Sequence, residues 1–437
     1  MKQLLYIFSA ALLFTACKKD TARVFDESPE ERMGSRIDEL NDLLLSAPNG
    51  WKVSLTTTAK GGYGFYMDFK KDNVSMVADL NASTTTTTNT STWRIKWVMN
   101  ATLIFDTYNY ISMLQDPSPS SYGGASGSGL KSDVEWEYQG TSGDTVKMKG
   151  FKYRNDMFLV KATADEKARF LSSAYKDNVD AFNQFFAEKS NNYINIDGIG
   201  NKVEFIYDYL AKAVKFQYVN NEGGVVQSNG KFNFEDIGLN IAPGFEVAGI
   251  SFSKAKLENG ELVLYTTTGA KYTVSQHTLP ILPMPLLFAY NGTYKELFVT
   301  GVLPAGVTSG FNSIWQSAVT KFAQLNPPRT IVDFRFILAN STNATLTVRS
   351  NNGSSTFSAV GTFKYTYEDG VITLSNFTYD GNWSPRIPQL IDVQNFFINA
   401  GPFRIDYVTS SNPNVTNLGG LYSIADPSIF FYGTLRK

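Results

Sequence analysis

The feature that most limits how this chain can fold is the strict alternation of apolar and polar side chains in short runs. Val134, Trp136 and Tyr138 alternate with Asp133, Glu135 and Glu137, the period of two that places successive side chains on opposite faces of a strand. Such a strand is expected to turn one face to a core and the other to water, so the sheet it joins needs a cover. Aromatic content (32 Phe, 23 Tyr, 6 Trp) strengthens the preference for strands.

Three amphipathic helices break into this pattern. Ser28-Pro29-Glu30-Glu31 is a capping box with proline at the first helical position, followed by Met33, Ile37, Leu40 and Leu44 on one face and stopped by Pro48-Asn49-Gly50. Thr163-Ala164-Asp165-Glu166 is a second capping box, leading to Phe170, Leu171, Val179, Phe182, Phe185 and Phe186. A third helix is expected from Gly310 to Leu325, with Phe311, Ile314, Trp315, Ala318 and Phe322 facing inward.

After each helix comes a run of short strands. They are expected at 64–69, 74–79, 92–97 and 101–105; at 202–208, 212–219, 230–234 and 238–241; and at 331–338, 344–349, 361–367 and 371–374. The expected fold is therefore mainly β with a few helices, a β-rich α+β protein. It is built from three units, each a helix plus an antiparallel meander, at residues 28–162, 163–286 and 287–437. The Pro-rich stretch 279–285 is the expected connector before the third unit. Ser118–Gly129 and Ser83–Thr90 look too polar and flexible to pack and are expected to project from the first unit.

The N-terminus specifies an address. Lys2 precedes an apolar run from Leu4 to Phe14 that is too short to span a bilayer, and Thr15, Ala16 and Cys17 follow. Residues 1–16 are the expected signal peptide, cut between Ala16 and Cys17, and 17–27 form a tether. Phe14-Thr15-Ala16-Cys17 is similar to a lipobox, with Phe14 where Leu is usual. Cys17 is the one cysteine of the chain, so no internal disulfide can form and lipidation accounts for the thiol. Loss of residues 1–16 takes away only Lys2, so the formal charge goes from −1 to −2 and no basic field exists for nucleic acid.

Little recognisable chemistry is encoded. His277 is the only histidine, sits just before the connector, and has neither a nucleophile nor an acid at motif spacing, so a solvated or capping role is expected. No His-based zinc site can be assembled, and no metal or cofactor is expected. Gly124–Ser132 imitates a phosphate-binding loop but runs into a strand, so no helix N-terminus would face a phosphate. Paired carboxylates need no signature spacing, and Asp106, Asp133, Glu135 and Glu137 are available, although the last three alternate as a solvated face would. Aromatic side chains can stack on sugars. Trp93, Ile95 and Trp97 share a strand face that reads chiefly as core, and Tyr122 stands in the Gly/Ser loop. Trp93, Trp97 and Tyr122 are the candidate ligand contacts.

The lipobox, the helix from Ser28-Pro29-Glu30-Glu31-Arg32 to Ala47-Pro48-Asn49-Gly50-Trp51, Gly61-Gly62-Tyr63 and Phe105-Asp106-Thr107-Tyr108-Asn109 together resemble a family of Bacteroidetes outer-membrane lipoproteins catalogued as a domain of unknown function. That resemblance implies a place in the cell envelope, often beside starch-utilisation-type uptake systems, and it carries over no catalytic residue. The expected function is a membrane-tethered, non-enzymatic binding or accessory module for a glycan or peptide, or for an uptake complex. A surface hydrolase using paired carboxylates and a structural or adhesion protein stand as alternatives.

Overall fold

A computed structural model describes residues 28–437. Ala16 and Cys17, and with them the expected signal peptide and lipidation site, lie outside the described residues.

Helix α1 (Pro29–Leu45) starts where the capping box places it. The Ser28 hydroxyl accepts from Glu31 N at 3.1 Å, and the Glu31 carboxylate accepts from Ser28 N at 2.7 Å. Its Leu40 and Leu44 enter the core of a closed eight-stranded barrel. The barrel comprises β1 (Trp51–Thr56), β2 (Gly62–Phe69), β3 (Asn73–Ala78), β4 (Asn89–Trp97), β5 (Ala101–Phe105), β6 (Glu135–Ser142), β7 (Thr145–Gly150) and β8 (Asp156–Lys161). It closes because β1 pairs antiparallel with both β2 and β8. With eight strands the lumen is just wide enough for side chains to fill it, here Trp51, Phe65, Met67, Trp136 and their neighbours. Two short helices, α2 (Tyr110–Gln115) and α3 (Pro119–Tyr122), lie between β5 and β6.

The second capping box also forms: Glu166 N donates to the Thr163 hydroxyl, and Thr163 N to the Glu166 carboxylate. The expected single helix is two, α4 (Ala164–Phe170) and α5 (Ser173–Glu188), because the Ser172 side chain accepts from Ala174 N and so caps a new start. Tyr175, Val179, Phe182 and Phe185 of α5 are buried in the second core. The sheet beneath runs through β9 (Asn192–Ile194), β10 (Val203–Asp208), β11 (Ala213–Val219), β12 (Val225–Phe234), β13 (Leu239–Ile241), β14 (Glu246–Val247), β15 (Ile250–Glu258), β16 (Glu261–Thr266), β17 (Lys271–Thr273) and β18 (Ser275–Gln276). It is antiparallel and open, with β17 and β18 at its ends.

A second eight-stranded barrel follows: β19 (Glu296–Thr300), β20 (Thr330–Leu338), β21 (Asn343–Asn351), β22 (Thr356–Glu368), β23 (Val371–Tyr379), β24 (Phe403–Val408), β25 (Leu418–Ser423) and β26 (Phe430–Arg436), closed by the β19–β26 pair. Helix α6 (Phe311–Ala323) sits where its periodicity puts it. Helix α7 (Ile387–Asn399) was not anticipated, although Leu390, Val393 and Phe397 mark one face behind Pro388. Both feed an aromatic core in which Phe311, Phe334, Phe397 and Phe431 meet with centroids 5.1–6.4 Å apart.

The Pro-rich stretch is strapped to the last barrel. Met284 is buried in its core, and the Tyr407 and Tyr367 hydroxyls donate to the carbonyls of Leu282 and Pro285, each at 2.9 Å.

The first barrel and the middle sheet meet along β2 and β12. Both faces of β2 are buried: Phe65 and Met67 point into the barrel, whereas Tyr66 joins the second core and stacks on Phe170 at 5.5 Å. Glycine permits the contact, since a Cβ on Gly64 would lie 2.2 Å from the Phe234 carbonyl oxygen and one on Gly61 2.0 Å from that of Lys212. At the centre, Asp79 and Lys212 form an ion pair at 3.2 Å with side chains 0% and 2% exposed. The carboxylate also accepts from Gly64 N and Phe234 N, at 3.0 and 2.7 Å, one from each unit. The ammonium also donates to the Asp79 carbonyl oxygen at 2.7 Å, and it lies 4.8–5.7 Å from the rings of Tyr209, Phe232 and Phe234. Burial pushes the Asp79 carboxyl up and the Lys212 amine down, each opposed by the other's charge.

Candidate functional site

Beside this weld the two units part to leave a cleft of about 910 Å³, within the range of ligand pockets. Its first wall is the outer face of β7, β8 and β1. Because Trp51, Val53 and Leu55 turn inward, Lys52, Ser54 and Thr56 turn out; on β8 Met157 and Leu159 turn inward, so Phe158 and Val160 turn out. Strand register lines these up in two rows, Lys147–Phe158–Ser54 and Thr145–Val160–Lys52. The opposite wall is one face of β12 with β13. Phe232 and Phe234 point into the sheet core, leaving Asn229, Lys231 and Asn233 facing the cleft with Asn240 beside them. Asn240 Nδ2 donates to Asn233 Oδ1 at 3.3 Å.

Charges in the cleft are unevenly matched. Lys52 reaches Glu166 at 2.6 Å; burial works against its charge, but Glu235, Glu166 and Asp236 together hold its pKa above the ordinary lysine value. Lys254 lies 3.7 Å from Glu235, and Asp156 is held by Lys149 at 2.6 Å. Half-buried Lys231 donates to the Thr57 carbonyl oxygen at 2.6 Å, and burial pulls its pKa down with no carboxylate to offset it.

None of the aromatic candidates lines this cleft. Trp93 is buried, its indole N–H donating to the Lys70 carbonyl at 2.9 Å and its ring edge-on to Phe69. Trp97 is half-buried at the end of β4, ahead of exposed Val98 and Met99. Tyr122 does not stand clear of packing as expected. Its hydroxyl donates to the Leu80 carbonyl at 2.7 Å, its ring meets Tyr63 edge-on at 6.0 Å, and burial raises its pKa strongly. The segment 83–90 is also less free than expected. Thr84 and Thr85 are buried, and the Thr84 hydroxyl donates to the Ala78 carbonyl at 2.8 Å.

Three of the four carboxylates weighed for catalysis are engaged. Asp106 pairs with Arg94 at 3.0 Å and Glu137 with Arg154 at 2.7 Å. Asp133 is 2% exposed and accepts from Lys152 N, Tyr153 N and Asn155 Nδ2, fastening the β7–β8 turn. The expected solvated face of Asp133, Glu135 and Glu137 is thus largely covered: Trp136 fills the lumen on the other side, while Asp133 and Glu137 are buried and Glu135 is half-buried. Periodicity reports two faces but not what lies over each. His277 has a terminal structural role, with Asn191 Nδ2 donating to its carbonyl, its own N–H donating to the Asn191 carbonyl, and its ring edge-on to Tyr193. Among the described residues no cluster of three or more His, Cys, Asp or Glu could hold a metal, and no helix is long and apolar enough to cross a membrane.

Comparison with known proteins yields a family but no activity. The model of a family described as "Domain of unknown function (DUF4302)" matches residues 21–259. No curated protein matches. Similar solved structures include the DNA polymerase III subunit beta of Pseudomonas aeruginosa, at 10% identity over 92% of this chain and 98% of that one, with a TM-score of 0.15. A transferrin binding protein B double mutant from Haemophilus parasuis Hp5 is also similar, at 10% identity over 88% and 74%, with a TM-score of 0.12. Likenesses this weak carry no argument about fold or function.

Proposed function

The chain belongs to the DUF4302 family, and from that premise we propose a non-enzymatic binding module of the bacterial cell envelope, tethered by lipid on Cys17, that takes a glycan or peptide segment into the cleft between the first barrel and the middle sheet. Outer-membrane attachment and service to an uptake system belong to the same proposal. The observation that carries it is the cleft itself, a roomy groove whose walls offer amides, hydroxyls and a flat apolar ring. All of its lining, from Lys52 to Lys254, falls within the stretch matched to the family, residues 21–259. The hydrolase alternative has less support, because the two carboxylates at the cleft, Asp156 and Glu235, are each engaged by a lysine.

The test is a glycan and peptide array probed with the protein and with Ser54→Trp, which projects an indole from the middle of the barrel wall into the cleft. Hits should disappear in the variant while its melting temperature stays close to that of the parent, since Ser54 faces outward. Undiminished binding by Ser54→Trp would remove the cleft as the site.

A further inference from the structure

The cleft also carries information about the class of its occupant. Its lining holds four lysines, Lys52, Lys147, Lys231 and Lys254, against the two carboxylates Asp156 and Glu235. Lys52 is neutralised by Glu166, Lys254 faces Glu235, and Asp156 is taken by Lys149. Lys147 and Lys231 remain without a carboxylate partner among the described residues. On a chain of net charge −1 this is a local excess of positive charge; half-buried Lys231 lies between the two walls, where solvent screening is weaker than on open surface, while Lys147 is exposed. Lys231 is fixed by its bond to the Thr57 carbonyl oxygen, and an ammonium has two further N–H groups to offer.

A second observation bears on sugar against peptide. Extended peptides are commonly captured by adding a strand to a free sheet edge. The barrel wall has none, since β7, β8 and β1 are consecutive strands of a closed barrel; on the opposite wall β12 pairs with β11 over Val225–Lys231 and with β13 over Phe232–Phe234, so the polyglutamate arm of the test below decides against a peptide. What the walls present is side chains: the amides of Asn229 and Asn240 and the Ser54 hydroxyl, able to donate and accept as sugar hydroxyls require, and the Phe158 ring, suited to the CH-rich face of a pyranose.

We propose that the cleft binds an acidic glycan, its carboxylate or sulfate meeting Lys231 with support from Lys147. This rests on the cleft being the binding site. The full-length protein in detergent is run through native gels containing polygalacturonate or alginate (carboxylate), chondroitin sulfate or dextran sulfate (sulfate), galactomannan or amylopectin (neutral), or polyglutamate. At least one acidic polysaccharide should retard it, less so as salt rises. Lys231→Gln should weaken that interaction about tenfold or more, as loss of a charged hydrogen bond does, Lys147→Gln should weaken it less, and Lys231→Arg should retain it. The carboxylate and sulfate arms identify the acidic group.

Failure to be retarded by any acidic polysaccharide overturns the assignment, as does retardation that Lys231→Gln leaves unchanged, or binding of polyglutamate in place of a glycan. Binding of a neutral polysaccharide that Ser54→Trp abolishes and Lys231→Gln spares refutes the acidic ligand while keeping the cleft. Binding that survives Ser54→Trp rejects the cleft itself.

Discussion

Replacing Lys212 with methionine would test what holds the first barrel to the middle sheet. The substitution keeps an unbranched apolar stem among Tyr209, Phe232 and Phe234 but removes the ammonium. Asp79 is left wholly buried, with only the Gly64 and Phe234 N–H groups as donors. Removing one member of a buried pair costs about 3–5 kcal/mol, mostly from the charge left behind. For a cooperative block of roughly 150–250 residues each kcal/mol lowers Tm by about 2–4 °C, so a fall of roughly 6–20 °C is expected.

The loss should also depend on pH in a defined direction. Burial already raises the Asp79 carboxyl with the lysine present, and without the lysine it rises further. A carboxyl whose folded pKa lies above its unfolded value, about 3.9, contributes stability that is full below that value and is lost as pH rises through the folded pKa. The Lys212→Met deficit is therefore largest at neutral and alkaline pH and shrinks on acidification toward pH about 4. Adding Asp79→Asn removes the orphaned charge and should restore part of the loss. Calorimetric melts of the parent, both single variants and the double variant across this range decide it. A deficit that is flat with pH, together with a double variant that loses the sum of the singles, would refute the account.

Gly64→Ala should destabilise by at least about 1–3 kcal/mol in urea unfolding, because its Cβ meets the Phe234 carbonyl, which is backbone and cannot swing aside. Tyr122→Phe should cost about 0.5–1.5 kcal/mol through its bond to Leu80, an effect an untethered loop residue would not show. A fragment beginning at residue 279 should melt higher than one beginning at 287, since it retains Met284 and the carbonyls that Tyr367 and Tyr407 hold; equal Tm values would count against the strap. Cys17→Ala should abolish incorporation of an alkyne fatty acid and release the protein to the soluble fraction, and continued labelling would sink the lipid assignment.

Where local chemistry is self-sufficient, the sequence could be read directly. Ser28 with Glu31, and Thr163 with Glu166, fix helix starts because a cap is completed within four residues. Strand positions were legible because alternation is itself a local property, and β5 lies at Ala101–Phe105 as the pattern indicates. Readings that depended on a distant partner went astray. Asp133 and Glu137 looked solvated, yet their partners Tyr153, Asn155 and Arg154 arrive from a later turn. Tyr122 looked free because Leu80 and Tyr63 are far away along the chain.

The amino-acid sequence alone determined the β-rich class, the capped helices, and the scarcity of His and Cys, because each depends on composition or on neighbours within a few residues. Tertiary structure decided that two meanders close into barrels, since closure is a pairing between first and last strands, β1 with β8 and β19 with β26. It also decided where the cleft lies. Lys147, Ser54 and Lys231 sit on strands that no local pattern links, and they face one space only because Gly61, Gly62 and Gly64 let one backbone approach another and the Asp79–Lys212 pair holds them there.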